Sequence, residues 1–304
     1  MARSFPALAF VLLTLAGCQS GPPRTATGDT PSAFTSDRIT VVTRGNGPDL
    51  ILVPGLSSHR AVWDSVSGPL EGRYRLHLIQ VNGFAGLPAG GNADGPVSAP
   101  VAEEIARYIT ASGLTRPAVI GHSMGGSIAM MVAARHPDHV GPVMIVDMPA
   151  FMGQIFGGPG ATGESIRPIA DSMRARMLAK PDSFVQSFGQ MVSGMTNRQA
   201  LIPELLGYVN SSDPRTMANA FHELIVTDLR PELGRITGPM TVLYVVPPVS
   251  PVPPDQYEAG MRQSFANAPN ARLVKVENAY HFIQLDQPAR VVAEIEALVP
   301  PSPR

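Results

Sequence analysis

The stretch Gly121-His122-Ser123-Met124-Gly125 decides the fold of this chain, because it fits the pattern Gly-x-Ser-x-Gly in matching surroundings. The apolar residues 117–120 before it predict a short buried strand, and residues 126–134 after it, rich in small side chains and Met, predict a buried helix. A sharp strand-to-helix turn of this kind holds its serine in a strained backbone conformation, with the hydroxyl above the sheet. The pattern therefore predicts that Ser123 is a nucleophile.

Apolar segments on both sides of this turn alternate between strand and helix patterns. Strands are predicted at residues 39–43, 50–53, 76–81, 143–146, 241–246 and 272–276, and helices at 101–111 and 291–298. Strands that alternate with helices indicate a mainly parallel sheet with helices on both faces, which is the α/β class.

Residues 149–236 break this alternation, since they contain no convincing strand. Helical patterns occur instead near residues 166–179, 182–195, 199–209 and 214–225. We therefore expect an inserted helical cap at residues 149–236, on a core formed by residues 38–148 and 237–300.

An activated serine needs a general base, and His281 is the best candidate among the seven histidines of the chain. It lies in a loop directly after the predicted strand 272–276 and before the last helix. Such a loop lies at the carboxyl edge of a parallel sheet, alongside Ser123. There His281 would take the proton of Ser123 and later return it to the leaving group.

Two carboxylates compete for the third position, which orients the histidine and stabilises its cation. Asp255 lies just beyond the turn after the 241–246 strand, where an acidic residue is typical of a helix N-terminus. Asp147 directly follows the apolar strand 143–146 and would be buried at the edge where the site must lie. Burial without a partner would be costly, so we favour Asp147, with His281 as that partner.

Backbone N–H groups are expected to stabilise the oxyanion that forms when a carbonyl is attacked. One predicted donor is Met124, the residue after the nucleophile. The other is Leu56, in the loop after the 50–53 strand, where Gly55 lets the backbone approach the site and Pro54 has no N–H to donate.

Together these motifs resemble the α/β-hydrolase superfamily over nearly all of residues 38–300. The matching segments are Pro54-Gly55-Leu56, residues 121–126, residues 228–233 before a strand and residues 279–282. The resemblance implies a central eight-stranded sheet, a serine nucleophile and a cap over the site.

The chain departs from the superfamily pattern at two positions. Pro54 stands where many relatives have His, which leaves the amide of Leu56 in place. Val249 stands near the usual position of the acid. Some relatives, certain haloalkane dehalogenases among them, carry the acid after the earlier strand, which is the position of Asp147.

The first 37 residues do not resemble the rest of the chain. Arg3 and the apolar run 5–16 are typical of a signal peptide, predicted over residues 1–17. Leu15-Ala16-Gly17-Cys18 resembles the lipobox of bacterial lipoproteins, which implies cleavage before Cys18 and a lipid anchor on that residue. An ordinary secretory signal with a chance cysteine is the alternative.

Two further expectations concern the location of the protein. The resemblance to lipoproteins implies the bacterial cell envelope, and Gln19 favours the outer membrane, facing the periplasm. Residues 18–37 are rich in Gly, Pro, Ser and Thr, which predicts a flexible tether between the anchor and the fold.

Composition and the remaining motifs exclude several classes of function. A net charge of −1 with 15% charged residues gives no basic surface for nucleic acid. Cys18 is the only cysteine, so neither an intramolecular disulfide nor a thiolate metal site is possible. The pair His136 and His139 lacks a third ligand nearby, and the glycine-rich residues 158–163 follow no strand, so neither a metal nor another cofactor is expected.

The predicted activity is carboxylic ester hydrolysis through an acyl-enzyme, with a small-molecule substrate that carries an apolar group. The cap predicts this group, because it contains many flexible or aromatic apolar side chains. These are Met148, Phe151, Met152, Phe156, Met173, Met177, Phe184, Phe188, Met191 and Met195. We expect most of them to pack the cap helices together and some to face the cleft.

Other functions are compatible with the same fold and the same catalytic residues. Lactonases, peptidases and C–C hydrolases share the serine machinery, whereas dehalogenases and epoxide hydrolases are disfavoured because their nucleophile is Asp. A binding or scaffold lipoprotein without catalysis would keep the fold and leave the serine unsupported. The oligomeric state has no signature in the sequence.

Overall fold

The computed structural model describes residues 29–247 and 252–301, and an eight-stranded sheet forms the centre of this part. The strands are β1 (Thr30–Pro31), β2 (Ile39–Arg44), β3 (Asp49–Val53), β4 (Arg75–Val81), β5 (Ala118–His122), β6 (Val143–Val146), β7 (Met240–Tyr244) and β8 (Ala271–Lys275). Their order across the sheet is β1-β2-β4-β3-β5-β6-β7-β8. Strand β2 is antiparallel to its neighbours β1 and β4, and all other pairs are parallel.

The central strands are buried on both faces, which explains their continuous apolar sequences. In β3, Leu50 to Val53 have no accessible surface, and β6 is equally buried. The register pairs Gly121 of β5 with Ile145 of β6, so these two strands end side by side. Their common end is the edge of the sheet from which the nucleophile turn projects.

Eleven α-helices accompany the strands in the described residues. They are α1 (Asp64–Leu70), α2 (Ser98–Ala111), α3 (Met124–Arg135), α4 (Gln154–Gly157), α5 (Gly163–Ala179), α6 (Pro181–Ser193), α7 (Ile202–Asn210), α8 (Pro214–Val226), α9 (Pro254–Ser264), α10 (Ile283–Asp286) and α11 (Pro288–Leu298). Helices α2 and α3 pack together as one layer, and α1 packs against α11 as another. The predicted fold class, a mainly parallel eight-stranded α/β sheet of the α/β-hydrolase type with an inserted helical cap, is confirmed.

Helices α4 to α8 all lie between β6 and β7, in the part of the chain predicted to form the cap. Two of these helices begin at a residue whose side chain caps the helix N-terminus. The Thr162 hydroxyl accepts the N–H of Ser165 at 3.1 Å at the start of α5, and the Asp213 carboxylate accepts the N–H of Thr216 at 2.7 Å at the start of α8.

Residues 29–37 lie against the core, so the prediction of a flexible tether was wrong for this part of residues 18–37. Strand β1 pairs with β2, and Phe34 packs edge to face on Tyr108 with ring centroids 5.2 Å apart. The average composition of residues 18–37 does not reveal this contact, because it depends on the single aromatic residue Phe34. The predicted signal peptide and Cys18 lie outside the described residues.

Across the residues that the structure describes, every helix is too short or too polar to span a lipid bilayer.

Candidate active site

Ser123 lies at the sharp turn between β5 and α3, in a conformation that side chains rarely adopt. Its φ is 53° and its ψ is −121°, and its N–H donates to the carbonyl oxygen of Val146 at 2.9 Å. A Cβ at position 121 would lie 1.9 Å from the carbonyl oxygen of Gly125, and a Cβ at position 125 would lie 2.2 Å from that of Val53. The two glycines therefore permit the strained turn that presents the serine.

The structure brings His281 and Asp147 together. The Nδ1–H of His281 donates to Oδ2 of Asp147 over 2.7 Å, and Oδ1 of the same carboxylate accepts the N–H of Val245 at 3.1 Å. Asp147 follows β6 with a φ of 52°, so it too has a strained backbone. Both oxygens of a largely buried carboxylate are thus satisfied, and Nε2 of the imidazole has no hydrogen-bond partner among the residues that the structure describes.

Asp255, the competing acid, takes a different position. It is exposed in the first turn of α9, and it makes no hydrogen bond to His281 among the described residues. Val249 lies outside the described residues. The geometry therefore favours Asp147 as the partner of His281.

Ser123 and His281 line one cavity. Ser123 is half-buried, and within the described chain its Oγ makes no hydrogen bond. Catalytic hydrogen bonds are often long in the absence of substrate, so the shared cavity is the relevant observation.

His122 is a member of this constellation that the motif alone does not explain. Its Nε2–H donates to the carbonyl oxygen of His281 at 3.0 Å, and the two rings lie 4.7 Å apart. Complete burial, together with the nearby His281, lowers the pKa of His122 well below its ordinary value. The ring is therefore neutral and holds the backbone of the His281 loop.

The two predicted oxyanion donors flank the nucleophile. A Cβ on Gly55 would lie 3.2 Å from the Cβ of Ser123, so the loop that carries Leu56 passes close to the serine. Met124 is the first residue of α3, where helical N–H groups have no partner within the helix. Within the described chain, neither Leu56 nor Met124 uses its N–H in a hydrogen bond. Both donors are free for a ligand.

The cavity has a volume of about 320 Å³ and a predominantly apolar lining. Six of the ten Met and Phe side chains noted in the sequence line it, namely Met148, Met152, Phe156, Phe188, Met191 and Met195. Seven of the ten also lie in or against the hydrophobic clusters, namely Met148, Phe151, Met152, Met173, Phe184, Phe188 and Met195, so several side chains both pack and line the cavity. Helical spacing identifies an apolar face, but it does not reveal whether another helix or a cavity covers that face.

No Lys or Arg is among the described residues that line this cavity. Tyr257 of α9 reaches it, and burial together with the negative charge of Asp147 raises the pKa of its hydroxyl. The tyrosine is therefore neutral at physiological pH. Apart from Asp147 and the histidines, the lining suits an uncharged group.

The other motifs lie away from this cavity. His136, just after α3, contacts Glu103 at 2.9 Å, and residues 158–163 connect α4 to α5. Within the described residues, no group of three or more His, Cys, Asp or Glu side chains could hold a metal ion.

Proteins of similar sequence include esterases. The chain is 25% identical over 264 residues to the pimeloyl-[acyl-carrier protein] methyl ester esterase of Nitrosomonas europaea, which covers 86% of this chain and 99% of that protein. The enzyme of the same name from Aeromonas hydrophila is 34% identical over 116 residues, 38% of this chain and 43% of that protein.

Solved structures with this fold include an enol-lactonase from Burkholderia xenovorans LB400, with a TM-score of 0.70 and 17% identity over 89% of this chain and 99% of that one. An esterase from Exiguobacterium antarcticum has a TM-score of 0.70 and 19% identity, over 85% and 94% of the two chains. These likenesses support the fold.

The model of the alpha/beta hydrolase family matches residues 50–294, most of the described chain. This span contains the nucleophile turn, strands β4 to β8 and the loop of His281. The prediction of an α/β-hydrolase enzyme is thereby confirmed, and the chain belongs to the alpha/beta hydrolase family.

Proposed function

We propose that the protein is a serine carboxylic ester hydrolase with Ser123 as nucleophile, His281 as general base and acid, and Asp147 as the carboxylate that orients the histidine. The observation that carries this proposal is the 2.7 Å hydrogen bond from His281 to Asp147, beside a serine on a strained turn in the same cavity. The relatives named as esterases support it.

In the first half of the reaction, Ser123 Oγ attacks the ester carbonyl while Nε2 of His281 accepts its proton. Asp147 stabilises the imidazolium that forms. The N–H groups of Leu56 and Met124 stabilise the tetrahedral oxyanion, a type of contact worth about 10²- to 10³-fold in turnover per donor. Collapse of the intermediate releases the alcohol, which receives the proton from His281.

In the second half, water attacks the acyl group on Ser123, with His281 again as the base. The acid product leaves and the free serine is restored. The side chains of Ser123, His281 and Asp147 line the cavity and supply the nucleophile, the base and the orienting carboxylate for these steps.

The substrate that fits this cavity carries a neutral, apolar acyl group. Met and Phe side chains of the cap form most of its roof, and the described lining contains no cation to bind an anionic group. Flexible methionines adapt to groups of different shape. A small-molecule ester with an aliphatic chain meets these conditions.

Hydrolysis of p-nitrophenyl esters of increasing chain length tests the proposal. We expect kcat/KM to rise from acetate to a medium-chain ester by about tenfold or more, because each buried methylene contributes about 0.8 kcal/mol. Ser123→Ala should abolish the activity while the protein stays folded. Equal rates for all chain lengths would contradict the apolar pocket, and activity in the alanine variant would contradict the nucleophile.

We further propose that a lipid on Cys18 anchors the enzyme at the bacterial cell envelope, in the outer membrane. The support is the lipobox-like sequence Leu15-Ala16-Gly17-Cys18. Membrane fractionation with labelled palmitate tests this proposal. Label and membrane association should both disappear in Cys18→Ala. An unlabelled wild type in the soluble fraction would refute the anchor and leave the esterase proposal untouched.

A further inference from the structure

The loop that carries His281 is fixed by a buried carboxylate that no step of the reaction uses. Asp286, at the end of α10, is only 8% exposed. Its Oδ2 accepts the N–H of Tyr280 at 2.7 Å, and Tyr280 directly precedes His281 in the chain. The carboxylate therefore fixes the backbone next to the proposed base.

The other oxygen of Asp286 binds the segment that follows the cap helix α6. Oδ1 accepts the hydroxyl of Thr196 at 2.5 Å and the N–H of Asn197 at 3.1 Å. One carboxylate thus joins the cap segment and the histidine loop. Because a buried charge needs several donors to offset its desolvation, neither side can move away without cost.

Two more hydrogen bonds run between the same segments. The Asn197 side chain donates to the carbonyl oxygen of Asn278 at 2.8 Å, and the N–H of Phe282 donates to the carbonyl oxygen of Met195 at 3.0 Å. Residues 195–197 and 278–282 are therefore connected on both sides of His281. Met195 also lines the catalytic cavity, so this cap segment contacts the substrate space directly.

We propose that Asp286 is a positioning residue, which couples the seating of the cap to the placement of the His281 imidazole over Ser123. This inference rests on the proposed function, because it assigns His281 the role of base. Asp147 fixes the imidazole through Nδ1, and Asp286 fixes the backbone from which that imidazole projects. A displaced base costs rate, because general-base catalysis requires hydrogen-bond reach.

The chain offers a matched control in Glu223. It lies on the cap helix α8 and is 7% exposed. Its carboxylate accepts the N–H groups of Val97, Ser98 and Ala99 at 2.6 to 2.8 Å, at the start of the core helix α2. Glu223 therefore also joins cap to core through a buried carboxylate, but it does not line the catalytic cavity.

The experiment compares the full-length wild type with Asp286→Asn and Glu223→Gln, with kcat, KM and thermal midpoint for p-nitrophenyl butyrate. The asparagine places an NH₂ group against one of the donors that now face Asp286. We expect kcat to fall on the order of 100-fold in Asp286→Asn with KM within about threefold. Glu223→Gln should lower the thermal midpoint by about as much as Asp286→Asn does. Its kcat should stay within about threefold of the wild type.

A milder variant covers the case in which Asp286→Asn does not fold. Thr196→Val removes one cap-side donor and leaves the bond between Asp286 and Tyr280 intact. We expect it to lower kcat by about tenfold, since small displacements of reacting groups have large effects on rate. Unchanged kcat in a folded Asp286→Asn variant, or in Thr196→Val where Asp286→Asn does not fold, would overturn the inference. So would equal loss of kcat in Glu223→Gln, which would show a role in stability alone.

An NMR measurement separates this inference from the proposed function. The Nδ1–H proton of His281 should give a sharp downfield signal in the wild type and in Glu223→Gln, and a broadened or missing one in Asp286→Asn. A wild type that gives this signal but hydrolyses no ester would refute the esterase and leave the coupling standing. A sharp signal in Asp286→Asn would refute the coupling.

Discussion

The central sheet and the outer cap helices differ in how far their side chains are buried. Strands β3 and β6 are buried on both faces, and nearly all residues of α3 are buried as well. In α5, by contrast, only Ile166 and Ala170 of seventeen residues are buried. Five of the six large apolar side chains that are exposed in the described residues lie on α4, α5 or α6, with Ile155 at 69% and Ile169 at 48%.

This difference in burial implies different functional roles for the core and the cap. Ser123 and Asp147 directly follow fully buried strands of the core, so their positions derive from its packing. The cap contributes apolar surface to the cavity, and its helices α5 and α6 bury few side chains. We therefore expect the core to hold the reacting side chains and the cap side chains that line the cavity to determine which ester reacts.

The largest expected effect lies at the core edge. Asp147→Asn should lower kcat by about 10⁴-fold, because the imidazole loses the carboxylate that orients it and stabilises its cation. Asp255→Asn on the exposed start of α9 should leave kcat within about tenfold. Steady-state kinetics on p-nitrophenyl butyrate measure both. A larger loss of kcat in Asp255→Asn than in Asp147→Asn would identify Asp255 as the acid. The comparison between core and cap would then fail.

Substitutions in the core should also lower stability more than substitutions on the exposed surface of the cap. Leu50→Ala in β3 removes a fully buried side chain and should lower the free energy of unfolding by about 2 to 5 kcal/mol. Ile169→Ala on α5 should change it by less than about 0.5 kcal/mol, since that side chain is half exposed. Urea denaturation followed by circular dichroism checks both. Similar losses in the two variants would mean that the cap is packed as tightly as the core.

The cap should control chain-length selectivity. Phe188→Ala enlarges the cavity from α6 and should lower the ratio of kcat/KM for octanoate over acetate by about tenfold, because the acyl chain loses apolar contact. Leu178→Ala on α5, which does not line the cavity, is the control and should leave the ratio unchanged. An unaltered ratio in Phe188→Ala would place selectivity elsewhere.

A smaller effect concerns pH and the core residue His122. Its pKa is lowered in the folded protein, so below about pH 6.5 the unfolded chain binds a proton that the folded chain does not. The free energy of unfolding should therefore fall as pH drops, and His122→Gln should reduce this fall by about 1 kcal/mol between about pH 7 and about pH 5.5. Urea denaturation at both pH values tests this. An equal fall in the variant would show that His122 is protonated in the folded state.

Much of the core was predictable because its signals are local. Strand β6 occupies the predicted residues, and the turn at Ser123 has the strained backbone that its glycines indicate. Burial of a carboxylate after an apolar strand pointed to Asp147, and the structure places it at His281. The catalytic roles of these residues are still predictions.

The remaining features depend on contacts between distant segments. Phe34 reads as part of a polar tail until its packing on Tyr108 is known. Asp286 follows His281 by five residues, but its bonds to Thr196 and Asn197 cross from one end of the chain to the cap. Periodicity and composition carry no information about such pairs, since they describe each segment by itself.

The most direct test of the central claim is the site of covalent labelling by a fluorophosphonate probe, read by peptide mass spectrometry. The account predicts one adduct, on Ser123, which forms in the wild type and is lost or slowed by orders of magnitude in His281→Ala. A folded wild type that acquires no adduct, or one that acquires it on another residue, would contradict the account.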